Sequence, residues 1–451
     1  MNLNDIKRVY LIGIGGIGMS GLARYFHLKG FVVCGYDKTV TPLTEALSTE
    51  GICISYIDDS SLIPISFQEN AVETLIIYTP AIPKNSEVLN YFINKGFKLY
   101  KRSQVLGILS KDSFTVAVAG THGKTTTSTL VAHLLKVGGI NCSAFLGGIS
   151  SNYNTNLLIG TSNVMVVEAD EYDRSFLTLH PNIAAITSMD ADHLDIYGAE
   201  EQLHESFKLF ANQVKEGGKL IYREGLPLNN GETYGISTTA IAKALNVRIE
   251  NGTFFFDFQN NDILLKDLEL GLPGQHNVEN AVAAVEIAFQ MNIEQSLIRA
   301  GLASFTGVKR RFEYQVKTAN HIYIDDYAHH PEELRACFLA VRSLYPNKKL
   351  TVVFQPHLFT RTRDFLGAFA EVLNTADQLL LLDIYPAREL PIEGISSNTL
   401  AAKMDAKKVL VCGKQEALKL IDNQKPELLL TVGAGDIDTL VLPFKNMLNN
   451  A

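Results

Sequence analysis

Short apolar runs rich in β-branched residues alternate along this chain with segments of helical length. The first of them, Val9–Ile12, Phe31–Cys34 and Thr74–Tyr78, lie before residue 108. Each suits a strand buried on both faces, and the intervals leave room for helical crossovers, so a parallel βαβ sheet is predicted. The pattern restarts at Thr115–Ala119 and continues through Val164–Val167 and Ile183–Thr187. A more polar, strand-rich stretch occupies residues 218–270, and Pro273-Gly274 then turns into an apolar helix over Val278–Phe289. After Gly307 the alternation begins a third time, with strands predicted at His321–Ile324, Leu350–Phe354, Leu379–Leu382 and Leu428–Val432. No repeat array, low-complexity tract or long linker intervenes. The restarts divide the chain into three blocks, residues 1–108, 109–306 and 307–451.

Length agrees with that division, because 451 residues exceed what one hydrophobic core serves. A hydrophobic content of 46% with 20% charged residues is ordinary for α/β proteins. The net charge of −8 argues against a nucleic acid or an anionic membrane as partner. Five cysteines, Cys34, Cys53, Cys142, Cys337 and Cys412, are scattered without metal-like spacing and read as thiols in a reducing cytoplasm. The N-terminal residues lack the apolar core of a signal peptide, and no stretch approaches the ~20 apolar residues of a membrane span. A cytoplasmic enzyme without membrane insertion is expected.

The second block opens on the strongest chemical signal. The run Thr115–Ala119 enters Gly120-Thr121-His122-Gly123-Lys124-Thr125-Thr126-Thr127, and a helix-like segment follows at once. Such a turn aims backbone N–H groups, a helix N-terminus and one ammonium at a common point, where a polyphosphate binds. Thr125 is then placed to ligate the accompanying Mg²⁺. Val118 stands where the usual phosphate-loop motif has glycine, so a plain glycine turn with a solvated lysine is the competing reading. Two later strands also end in acids: Glu168-Ala-Asp170-Glu171 and Asp190-Ala-Asp192-His193-Leu-Asp195. In a parallel sheet these ends reach one edge, so Glu168 and His193 are candidates for a second Mg²⁺ site beside Lys124. A solvated acidic loop is the alternative.

The first block carries Gly13-Ile-Gly15-Gly16-Ile17-Gly18 directly after a strand, with Asp37 about twenty residues on. This G-x-G-x-x-G spacing marks a pyrophosphate on a helix N-terminus without saying which nucleotide carries it. A nicotinamide or flavin cofactor, another nucleoside diphosphate, and a purely structural turn all fit. In Gly274-Gln-His276-Asn277-Val-Glu-Asn280, Asn277 and Asn280 share one face of a helix start, though Asn277 could be an N-cap. Arg310-Arg311 supplies paired guanidinium groups suited to phosphate. Asp325-Asp326-Tyr327-Ala-His329-His330 offers a metal site, an amine site or a helix cap, and His357 with Arg361 could clamp a carboxylate.

Taken in order, these motifs resemble the Mur ligase family, and within it the L-alanine-adding branch. The carriers are Gly13–Ser20, Gly120–Thr127, Glu168–Glu171, Asp192–Asp195, His276–Asn280, Arg310-Arg311, Asp325–Pro331 and Gly433–Asp436. Their spread covers essentially the whole chain, and the family's shortened phosphate loop accounts for Val118. The resemblance implies an α/β protein of three domains: an N-terminal Rossmann-like domain for a UDP-sugar, a central P-loop ATPase-like mononucleotide-binding domain for ATP, and a C-terminal Rossmann-like domain for the amino acid. It implies that Gly13, Gly15, Gly16, Ile17 and Gly18, with Asp37 and Thr79, hold the UDP-sugar. Gly120, Thr121, His122, Gly123, Lys124, Thr125 and Thr126 would hold the ATP phosphates, with Lys124 on the β/γ-phosphates. Thr125 would take one Mg²⁺, and Glu168 and His193 a second. Lys124, Glu168 and His193 would be the catalytic set. Asn277 and Asn280 would face adenine, Arg310 or Arg311 the phosphates, and Asp325 or Asp326 the ribose.

Tyr327, His329 and Arg361 would surround L-alanine and the muramyl carboxylate. The reaction implied is ligation of L-alanine to UDP-N-acetylmuramate through an acyl phosphate, with ATP as phosphoryl donor. The protein would act as a monomer or homodimer. Tyr10 and Leu358 depart from the family pattern, where many members have His and Arg, and no carbamylated lysine is expected. Two rivals share features: a ligase adding a preformed peptide to the same sugar, and a nicotinamide-dependent oxidoreductase, which would leave the phosphate loop unused.

Overall fold

The computed structural model describes residues 3–190, 197–237, 239–387 and 389–449. Three sheets carry the chain. The first contains β1 (Arg8–Ile12), β2 (Val32–Tyr36), β3 (Cys53–Ser55), β4 (Thr74–Tyr78) and β5 (Leu99–Lys101) in the order β3-β2-β1-β4-β5, all parallel. The central strand shows why its run is uniformly apolar. Val9 and Leu11 enter one core with Leu22 and Phe26, while Tyr10 and Ile12 enter another with Phe67 and Phe92. Side chains alternate across a strand, so covering both faces demands apolar residues at every position.

The second sheet has ten strands: β6 (Phe114–Ala119), β7 (Ser143–Ser150), β8 (Thr155–Leu158), β9 (Val164–Ala169), β10 (Ile183–Ile186), β11 (Lys219–Arg223), β12 (Glu232–Gly235), β13 (Ala242–Glu250), β14 (Thr253–Gln259) and β15 (Leu264–Leu270). Their order is β15-β14-β13-β12-β11-β10-β6-β9-β7-β8. β6 lies between β9 and β10 and is parallel to both, with Ala119 level with Ala169 on one side and Ile186 on the other. That register delivers Gly120, Asp170 and Thr187 side by side at the carboxyl edge, the customary ligand edge of an open α/β sheet.

The third sheet runs β16-β17-β21-β18-β19-β20, from β16 (Glu313–Lys317), β17 (Ile322–Asp326), β18 (Leu350–Phe354), β19 (Gln378–Leu381), β20 (Val409–Val411) and β21 (Leu428–Val432). It is parallel except for β16. Ile322 and Ile324 face one core, Tyr323 the other. Asp326, Val432 and Phe354 lie level, so Tyr327, Gly433 and Gln355 leave the sheet together.

The chain divides into two compact units, residues 1–245 with 258–266 and 279–304, and residues 246–257 with 267–278 and 305–451. Within the first unit, the helix Ile17–Leu28 is tied to β8 by polar contacts. Asn156 Nδ2 donates to Ile17 O at 2.5 Å and Ser20 Oγ at 3.0 Å, and Arg24 Nη1 donates to Asn156 Oδ1 at 2.7 Å. Among the described residues no helix is long and apolar enough to cross a membrane. The expected strands at Thr74–Tyr78, Leu350–Phe354 and Leu428–Val432 are found with those bounds. The one expected at Phe31–Cys34 is shifted to Val32–Tyr36.

Candidate active site

The loop after β6 is built by the neighbouring strand ends. Gly123 has φ +82° and precedes the helix Lys124–Val137 with no side-chain cap, which leaves the first amides of that helix for a ligand. A Cβ on Gly123 would lie 2.8 Å from Asn280 Oδ1, so the amide of Asn280 closes over the turn. Two residues beyond β10 pin the loop from the other side. Ser188 Oγ accepts the His122 N–H at 2.7 Å and is hydrogen-bonded to Thr121 Oγ1 at 2.9 Å, while the Thr187 hydroxyl lies within donating reach of Ala119 O, at 3.1 Å, and of His122 O. His122 Nε2 lies 3.8 Å from Asp190 Oδ2. Neither Thr187 nor Ser188 was singled out from sequence; a hydroxyl pair following the apolar run of β10 was the available signal.

Lys124 is the charged centre of this loop. Its Nζ donates to Gly120 O at 2.5 Å and to Glu171 Oε1 at 2.9 Å, with Glu171 Oε2 at 2.7 Å. Burial by itself would lower its pKa, but Glu171, Asp170 and Glu168 outweigh that and push it up to about 12. The ammonium therefore stays charged at any working pH. Glu168, the penultimate residue of β9, accepts the Gly147 N–H through Oε2 at 3.0 Å. Thr125 and Thr126 are buried at the start of the helix. His193, Asp192 and Asp195 lie outside the described residues.

The first sheet builds a second glycine turn. Gly13, at φ +85°, and Ile14 donate to Tyr36 O, and the Gly15 N–H donates to Asp37 Oδ2 at 2.7 Å. Gly16, exposed, caps the helix Ile17–Leu28 without any side-chain bond. A Cβ on Gly13 would meet Thr79 Cγ2 at 2.5 Å, so Thr79 packs directly on the turn. Gly18 lies under the guanidinium of Arg102, whose Nη2 is 3.4 Å from Asp170 Oδ2. Arg102 was missed from sequence because it opens a helix far from either glycine turn. Tyr10, on the strand before this turn, packs in the core with Phe67 and Phe92 at ring distances of 5.6 and 5.1 Å.

In the second unit, the residues expected around the amino acid are gathered. The rings of Tyr327 and His329 are 5.3 Å apart, His329 meets His357 at 5.8 Å, and Arg361 Nη1 is 3.4 Å from His357 Nδ1. Arg310 and Arg311 lie over the Tyr327 ring at 5.3 and 5.2 Å. Tyr385 stacks on His357 at 5.7 Å. Leu358, at φ +72°, starts the short helix that carries Arg361. Asn277 is buried in the same unit, its Nδ2 donating to Pro273 O at 2.6 Å, which makes it a lock on the helix start.

Asp325 and Asp326, expected near the ribose, are held within their own unit. Both are buried, and their oxygens are engaged within the unit. Asp325 accepts Arg310 Nε at 3.0 Å and Thr431 Oγ1 at 2.6 Å. Asp326 accepts the N–H groups of Phe312 and Ala328 at 2.6 and 2.7 Å, and burial pushes its pKa up to about 6. They close strand β17 rather than lying in the loop beyond it. Asp325 thereby fixes Arg310, whose Nη2 also donates to Gly433 O at 2.7 Å.

Comparison with known proteins matches one family along most of the chain. The Mur ligase family catalytic domain matches residues 8–114, the Mur ligase middle domain residues 118–288, and the Mur ligase glutamate ligase domain residues 310–435. The UDP-N-acetylmuramate–L-alanine ligase of Flavobacterium psychrophilum is 51% identical over 450 residues, covering 100% of both chains. That of Flavobacterium johnsoniae is 50% identical over 450 residues, covering 100% of this chain and 99% of its own. The crystal structure of the UDP-N-acetylmuramate–alanine ligase of Thermotoga maritima superposes with a TM-score of 0.84 at 25% identity, over 98% of this chain and 99% of that one. Three matched domains and half-identical, full-length relatives make this chain a member of the Mur ligase family.

Proposed function

We propose that this protein joins L-alanine to the lactyl carboxylate of UDP-N-acetylmuramate, consuming ATP and releasing ADP and phosphate, in peptidoglycan precursor synthesis. The observation that carries the reading is the full-length, half-identical kinship with ligases of that name. In this reading residues 1–108 hold the UDP-sugar, 109–306 hold ATP and 307–451 hold the amino acid. The enzyme works in the cytoplasm as a monomer or homodimer.

The chemistry asks for the side chains present. A carboxylate is a poor acyl donor, so the γ-phosphoryl group is first moved onto it. The amine then attacks the acyl phosphate, passing through a tetrahedral oxyanion, and phosphate leaves. Both steps gather negative charge, which calls for fixed cations more than for a covalent nucleophile. Lys124 and the open helix start behind Gly123 take the ATP phosphates, with Asn280 toward the base. Asp37, Thr79 and the Gly13–Gly18 turn take the UDP moiety. Tyr327, His329 and Arg361 orient L-alanine, and Arg310, braced by Asp325, serves the phosphates together with Arg311.

Mg²⁺ suits the donors near Lys124: a hydroxyl on Thr125 and a carboxylate on Glu168 are hard oxygen ligands. Thr125 would hold one ion, and Glu168, with His193 from the motif, a second. Bound there, Mg²⁺ would neutralise phosphate charge. Glu168→Ala and His193→Ala should each raise the Mg²⁺ needed for half-maximal rate, each removing a few kcal/mol of transition-state stabilisation, on the order of what single electrostatic groups supply. An unchanged Mg²⁺ titration in both variants would return the pair to a solvated loop. The assignment as a whole is tested by ADP and phosphate release on mixing ATP and UDP-N-acetylmuramate with and without L-alanine. Release dependent on a preformed peptide instead of L-alanine would overturn it.

A further inference from the structure

Lys124 is held from two directions. Gly120 O accepts from inside the loop at 2.5 Å, and the Glu171 carboxylate receives the ammonium at 2.9 and 2.7 Å from outside it. Among the described residues its one other contact, to Thr121 O, is long at 3.4 Å. Glu171 is not an ordinary member of an acidic surface run, since its side chain is 1% exposed. Its backbone is fixed as well: the carbonyl accepts the Tyr197 hydroxyl at 2.6 Å and the Arg174 N–H at 2.9 Å. Tyr197 is itself buried.

An ammonium has three N–H donors. The Gly120 carbonyl and the Glu171 carboxylate direct two of them, and among the described residues the third meets only the long Thr121 contact. We infer that Glu171 is a positioning residue for phosphoryl transfer, which fixes the Lys124 ammonium so that its remaining N–H is presented to the ATP phosphates. Lysine sits on a flexible four-carbon stem, so a ligand that had to order it would bind more weakly; holding the ammonium in advance removes that cost. The inference rests on reading Lys124 as the phosphate lysine. A carboxylate that merely occupied the place of phosphate would act in the opposite sense, and its removal would tighten ATP binding.

Calorimetric titration of ATP into wild type, Glu171→Gln, Glu171→Ala and Lys124→Ala separates these cases, with UDP-N-acetylmuramate titrated into each as a check on folding. Glu171→Gln keeps an acceptor at the same place but loses the charge, so ATP affinity should fall about tenfold, with a larger fall in Glu171→Ala. The Michaelis constant for UDP-N-acetylmuramate should not move in Glu171→Gln. ATP binding that is unchanged or tighter in Glu171→Gln, while Lys124→Ala weakens it, overturns the positioning role. Unchanged ATP binding in Lys124→Ala overturns instead the reading of Lys124. Should Glu171→Ala lose UDP-N-acetylmuramate binding, the isosteric Glu171→Gln decides alone.

Discussion

Lys124→Ala is expected to abolish ligation while UDP-N-acetylmuramate still binds near its normal affinity. The ammonium contacts Gly120, Thr121 and Glu171 and no residue of the Gly13–Gly18 turn. Removing it takes the fixed positive charge from the site where phosphoryl transfer gathers negative charge, a loss of about 3–4 kcal/mol or more in systems where one electrostatic group is deleted. The variant should also be less stable, because the buried Glu171 carboxylate loses its cation, and breaking a buried pair costs about 3–5 kcal/mol. Glu171→Gln added to Lys124→Ala should restore part of that stability and none of the activity. Calorimetry with the UDP-sugar, thermal unfolding and product release read the three effects separately. A large loss of sugar affinity in a folded Lys124→Ala protein would show that the two sites are not distinct.

The second large effect concerns Gly15. Its N–H donates to Asp37, and a Cβ there would lie 2.7 Å from Thr44 Cγ2 and 2.8 Å from Asp37 Oδ2. Valine must push both away, closing the cradle against a diphosphate and misplacing Asp37. Overpacking of this kind costs about 1–3 kcal/mol, so UDP-N-acetylmuramate affinity should fall roughly ten- to a hundredfold while ATP binding at Lys124 is spared. On wild type, UDP-N-acetylmuramate should raise the unfolding temperature by mass action and NAD should not. Protection by NAD that Gly15→Val removes would mean that the turn serves a dinucleotide and that the sugar assignment of the first block is wrong.

The buried central strands were readable because burial on both faces leaves an uninterrupted apolar run, as in Leu350–Phe354 and Leu428–Val432. Edge strands were not. Cys53–Ser55, Leu99–Lys101 and Val409–Val411 are three residues long and largely unburied, so no period could emerge. Ser143–Ser150 was hidden by Gly147-Gly148, which looks like a turn. Gly35 cut the expected second strand short, yet it is there because a Cβ would lie 2.5 Å from Leu11 O on the adjacent strand. At the site, Lys124 was legible from its motif, whereas its partner was not. Nothing in the order Glu168-Ala-Asp-Glu171 tells which carboxylate turns inward; that depends on where β9 ends and the next helical turn begins. The same limit applies to Asp325 and Asp326, whose interior position follows from strand β17 extending two residues beyond the expected Ile324.

The hydrogen bonds from Asn156 to Ile17 and Ser20 have a bearing on inhibitor design. They tie the helix behind the glycine-rich turn to the sheet that bears the Lys124 loop, inside one compact unit. In the proposed reading, a single molecule reaching both the Gly13–Gly18 turn and the Lys124 loop would therefore face one set separation rather than a range of separations. A stiff spacer of matched length should gain the full effective-concentration benefit of linkage, whereas a longer flexible tether would dilute it.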